Sequence, residues 1–217
     1  TTAQLNVLDT TQLGALDTTH IGALTTAQVK GLSTTQITEL NTTQIGALTT
    51  TQIGALTNAQ VAQIETTDLA AFDTTQVPGF TSSQIGALTT TQFAEIESTD
   101  IALLTSAQLK GMTSAQVGAL TTTQLGAMTT TQLSSLANTQ LAGLTTTLIA
   151  AMDTTQVASL TSTQVGSLST TLVGAIESTD IAALTTTQIK GFTTAQLNVL
   201  DTTQLGALDT THIGALT

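Results

Sequence analysis

No cysteine, tryptophan or tyrosine occurs among the 217 residues, and proline occurs once. Without cysteine there are no disulfides, thiolate metal sites or cysteine nucleophiles. Arginine is also missing, and Lys30, Lys110 and Lys190 are the only cations against 14 acids, for a net charge of -11. So little basic charge excludes a grip on phosphate backbones. The negative excess repels nucleic acid and anionic membrane surfaces. No run approaches the ~18 consecutive apolar residues of a membrane span, and no charged stretch followed by an apolar run suggests a signal peptide. Charged residues are only 8% of the chain, yet hydrophobic residues reach 40%, too many for the low-hydrophobicity, high-charge signature of disorder. The expected surface is therefore Thr, Ser, Gln and Gly.

What the chain has is one phrase repeated. From Thr2 it divides into 27 units of eight residues with no insertion or deletion. We letter the positions a to h, with Thr2 at a and Asp9 at h, and number the octads from 1. Position d is Leu, Ile, Val or Phe and position g is Leu, Ile, Phe or Met in all 27 octads. Position c is Gln in 20, and h is Thr, Ser, Asp or Asn in 23. Positions e and f are mostly Gly or Ala. Such regularity marks a single continuous array over 1–217 in which each unit stacks on its neighbours.

A continuous helix cannot use this pattern. Eight residues turn an α-helix by about 800°, so the apolar pair would drift by ~80° per octad. The chain must bend in every unit, and h says where. Thr, Ser, Asp and Asn are the preferred helix N-caps. With h as N-cap, Gln at c falls at N3 and completes a capping box, while g of the preceding octad and d occupy the two positions of a hydrophobic staple. In LTTTQIGAL at 48–56, Thr49 and Gln52 are expected to cap each other's backbone and Leu48 to staple to Ile53. The octad predicts an all-α solenoid of very short capped helices of six or seven residues, with Leu and Ile inside and Thr and Gln outside. The alternative is a β-solenoid, because Thr and Ile favour strands and Val77-Pro78-Gly79-Phe80 carries a type II turn signature.

Longer periods overlie the octad. Residues 1–25 recur unchanged at 193–217, a super-repeat of 192 residues. IESTDIALLTSAQLKGM at 96–112 matches IESTDIAALTTTQIKGF at 176–192, a weaker period of 80 residues. Neither end carries an atypical polar unit, so the ends are expected to stack on further repeats.

Few side chains carry candidate chemistry. The Asp residues at h read as N-caps. In three places Glu at h precedes Asp at c: Glu65 with Asp68, Glu97 with Asp100, and Glu177 with Asp180. Each pair reads either as a swapped capping arrangement or as calcium ligands, the latter needing further oxygens from neighbouring octads. His20 and His212 replace Gln at c. Lys30, Lys110 and Lys190 sit at e as solvated residues or as partners for acids of another chain. Leu148 and Leu172 stand at c where Gln is usual. No phosphate loop, Ser-His-Asp set or Cys/His cluster occurs, which argues against an enzyme and against a bound cofactor.

The pattern L-T-T-x-Q-[IVL]-x-A-L, as in LTTTQIGAL, resembles octapeptide tracts of very large bacterial cell-surface and secreted adhesin-like proteins. The resemblance covers the whole chain. It implies an extracellular or cell-surface structural role, with the chain itself as partner in a filament, stalk, sheath or matrix fibre. Two other functions are weighed beside it. One is a threonine array for ice or glycan binding, the other a calcium-stiffened adhesin spacer.

Overall fold

A computed structural model describes residues 1–216. Each octad carries one helical segment. There are 26 α-helices and one 3-10 helix, Val77–Gly79 in octad 10, with no strand among the described residues. The all-α solenoid is the observed fold, and the β-solenoid is excluded.

The local cause is the cap. In octad 7 the Gln52 N–H donates to Thr49 Oγ1 at 3.3 Å, and the Thr49 N–H donates to Gln52 Oε1 at 2.8 Å. The helix Thr50–Ala55 starts there. The same reciprocal box opens helices along the chain, with Asp9, Ser33, Asn41 or Thr161 as cap. Leu48 and Ile53, the staple pair, are both buried.

The helices are four to six residues long; the longest meet the six or seven expected and the others fall short of it. Their last turn tightens into i→i+3 bonds, such as Leu48 N–H to the Ile45 carbonyl and Leu56 N–H to the Ile53 carbonyl, both 3.1 Å. Residue g can then leave the helix. Leu56 adopts φ -57° and ψ 144°, and Thr57 follows at φ -75° and ψ 157°. Two extended residues in succession turn the chain and aim the next helix. No glycine has positive φ, so Pro78-Gly79 forms no type II turn. Pro78 only removes an N–H that position e elsewhere donates to the carbonyl of a, as Gly46 does to Thr42. The result is the 3-10 segment.

The chain forms two compact units, Thr1–Gly111 and Met112–Thr217. Within each, a helix packs on the helix three octads away. Thr26–Gly31 lies on Thr50–Ala55 in the first unit, and Thr130–Ser135 on Thr154–Ser159 in the second. The core is the d row backed by the g row. Ile53, Ile85 and Val157 at d are wholly buried, with Leu56, Leu88 and Leu160 at g beside them. Burying one such side chain stabilises by roughly 1.5–3 kcal/mol, and a helix this short does not hold alone. Stability is therefore a sum over contacts between neighbouring turns.

Candidate functional site: the contact between turns

The side chains that bind most specifically in this protein bind the protein itself. Gln at c was expected outside; from Gln36 onward it is buried in every octad that has it. Its Oε1 serves the cap of its own helix while its Nε2 crosses to the previous turn. Gln52 Nε2 donates to the Ile21 carbonyl at 2.9 Å and the Leu24 carbonyl at 2.7 Å. Gln84 does the same to Ile53 at 2.8 Å and Leu56 at 2.7 Å. In the second unit Gln188 reaches Val157 at 3.1 Å and Leu160 at 2.7 Å. The acceptors lie 31 and 28 residues back, at d and g. Together with the helix contacts three octads apart, this sets between three and four octads per turn.

The tightening of each helix explains the acceptors. The carbonyl of g, at the extended residue that leaves the helix, has no partner within its octad and is buried. An amide from the next turn satisfies it, which a buried carbonyl requires. One signal in the sequence pointed here. A capping box accepts Glu as readily as Gln, yet no octad has Glu at c. Glu offers no donor. His offers both functions: His212 Nδ1 accepts from the Asp209 N–H at 3.2 Å and Nε2 meets the Leu184 carbonyl at 2.7 Å. These contacts assign the proton to Nε2.

Position f adds a second contact. The Cβ that a side chain would add at Gly111 or Gly143 falls on the backbone of Ser82 or Ser114, 29 residues earlier. Gly86 and Gly118, at e, lie in turn against the carbonyls of Gly111 and Gly143. Glycine is needed at these places for close backbone approach.

The acid pairs do not cap. Glu65, Glu97 and Glu177 stand at N-cap positions without a side-chain capping bond, which corrects the swapped arrangement. A carboxylate at c cannot donate to carbonyls, so it looks for a donor. Asp68 accepts from Thr42 Oγ1 at 2.7 Å, and Asp180 takes the hydroxyl of Thr154. Both hydroxyls stand at a, three octads back. Asp100 lies three octads after the octad that Pro78 breaks. Its Oδ1 is buried with no partner. Burial pushes the Asp100 carboxyl above its ordinary pKa, and the charges of Glu97 and Asp73 push it the same way. Burial likewise raises Asp180, against the Thr154 hydrogen bond. The exposed caps Asp17 and Asp209 are held low, chiefly by the backbone N–H of His20 and His212, and Asp73 chiefly by the Thr75 hydroxyl. As for calcium, among the described residues no three His, Cys, Asp or Glu gather as metal ligands.

Leu148 and Leu172 are buried, and their octads lack the capping box. Lys30, Lys110 and Lys190 are exposed, and no ion pair joins them to an acid among the described residues. No described helix is long and apolar enough to cross a membrane.

A fold of short helices, most of them capped and bound to another turn by one glutamine, defines a helical repeat protein. The model of the ALTTAQ repeat matches residues 1–26, 23–58, 61–95, 93–130, 173–210 and 192–217, and the chain belongs to that repeat family. No curated protein matches it.

Proposed function

We propose that this chain is a structural repeat array of an extracellular or cell-surface bacterial fibre, whether filament, stalk, sheath or matrix, without a catalytic role. The observation that carries this reading is the interchangeability of the turns. Between turns, a glutamine bonded to the carbonyls of another turn recurs along the described residues, so the array recognises its own kind. Heterologous contacts of that sort generate open assemblies. The surface of Thr and Ser offers three lysines and no arginine, which leaves few cleavage points for proteases that require a basic residue. The resemblance to adhesin-like octapeptide tracts supports a location outside the cell.

Immunogold electron microscopy of the source cells, with antibody to residues 1–217, tests this. Label on fibres outside unpermeabilised cells is expected. Label confined to the cytoplasm overturns it. The threonine array for ice calls for a flat strand surface, and no strand occurs among the described residues. The calcium-stiffened spacer has one observation on its side, the unpartnered Asp100 Oδ1. Melting with and without EDTA decides it: a lower melting temperature in EDTA favours the spacer, and an unchanged one removes it.

A further inference from the structure

Octads 9, 13 and 23 carry Asp at c. The octads on either side of octad 13 make the usual contact. Gln92 Nε2 donates to the Ile64 carbonyl and Gln108 Nε2 to the Phe80 carbonyl, both at 2.6 Å. Between those two acceptors lies the Phe72 carbonyl, 28 residues before Asp100. No hydrogen bond reaches it among the described residues. Asp68 and Asp180 instead take a hydroxyl at a, 26 residues back, from Thr42 and Thr154. The matching hydroxyl for Asp100 is that of Thr74. Thr42 and Thr154 open α-helices; Thr74 does not, because Pro78 reduces its octad to the 3-10 segment Val77–Gly79. Asp100 is therefore buried, 3% exposed, with Oδ1 unpartnered.

We propose that Asp100 is an acid-closed latch between octad 13 and the turn before it. Neutral, its carboxyl donates to the Phe72 carbonyl as a glutamine amide does elsewhere; charged, it has only acceptors to offer and the contact loosens. Burial is the first pressure against its charge, and Glu97 in the same turn of chain and Asp73 at the entry to octad 10 add to it. The segment Val77–Gly79, packed against the helix Ser98–Leu103, holds no titratable group. Asp73 is itself held low, chiefly by the Thr75 hydroxyl, so it stays charged while Asp100 gains its proton. Because folding raises the pKa of Asp100, closure is complete below the unfolded value and is lost as pH rises through the folded one. At neutral pH the array thus carries a loosened contact at octads 10 and 13, which acid tightens. The latch acts within one chain and stands whether or not the array forms a fibre.

Hydrogen exchange of the 217-residue chain tests the latch, read by mass spectrometry on peptides and corrected for the intrinsic pH dependence of exchange. It is measured at the ordinary carboxylate pKa and at neutrality. Peptides covering 73–80 and 97–104 lose protection severalfold at neutrality. The helix Asn58–Val61 keeps it, because Gln60 makes its contact to the Leu32 carbonyl and no titratable group lies in it. Asp100→Asn has a donor at every pH and holds the protection at both. Pro78→Ala lets octad 10 form its helix and brings the Thr74 hydroxyl to Asp100 as Thr42 is brought to Asp68, so the difference between the two pH values shrinks. Wild-type protection that is equal at both pH values, or that falls along the whole chain together, overturns the proposal. So does a fall that persists undiminished in Asp100→Asn or in Pro78→Ala.

Discussion

A glutamine amide carries an acceptor and a donor on one planar group, and at c the protein uses both at once. The oxygen closes the cap of its own helix; the nitrogen closes the carbonyls of the turn before. Gln84→Glu keeps the first function and loses the second, leaving two buried carbonyls facing a carboxylate. Leaving buried polar groups unmatched costs about 1–3 kcal/mol, so the variant melts several degrees lower by circular dichroism. Gln84→His recovers most of the loss, because an imidazole can accept at Nδ1 and donate at Nε2 as His212 does. At Asp100 the folded-state pKa is raised. Its protonated form therefore stabilises the fold at pH below the unfolded pKa, and that contribution is lost as pH rises through the folded value. Asp100→Asn accordingly melts higher than wild type at pH 7, by roughly 2–4 °C for each kcal/mol recovered. The difference shrinks on acidification, as thermal melts over a pH series will show.

At the scale of the element, helix start was legible and helix end was not. The cap at h, the Gln at N3 and the staple at g and d are local signals, and Thr49, Gln52, Leu48 and Ile53 behave as they predict. Each helix closes on the residue at g, and the buried g carbonyl finds its partner in another turn, as Leu56 does in the amide of Gln84, 28 residues later. Glycines divide on the same ground. At Gly143 an added methyl collides with the Ser114 backbone, whereas nothing lies within 4 Å at Gly126. Gly143→Ala is expected to lower the melting temperature by pushing two turns apart. Gly126→Ala, inside Thr122–Ala127, is expected to raise it, through a gain of up to about 1 kcal/mol in helix propensity. The octad treats all its small residues alike, so only the distance to the other turn separates these two.

Over the whole molecule, the cost of a change at c depends on which turn carries it. Gln12 has the same neighbours in sequence as Gln204, yet Gln12 Nε2 serves no carbonyl while Gln204 Nε2 serves Ile176. Gln12→Glu keeps the cap bond to the Asp9 N–H and leaves the stability of the 217-residue chain within about 0.5 kcal/mol of wild type, as surface changes generally do. Gln204→Glu lowers it by an amount comparable to Gln84→Glu. Equal effects at 12 and 204 would show that the amide acts within its own helix only.

The sequence by itself determined where the chain starts a helix, which two side chains each helix buries, and that the unit repeats without a break. These follow from hydrogen bonds and spacings within about eight residues. Only the tertiary structure decided that glutamine lies inside, that a turn takes between three and four octads, and which glycines are needed for space. Those depend on a partner 25 to 31 residues away. The octad has the same letters wherever that partner falls, and the geometry of the turn selects it.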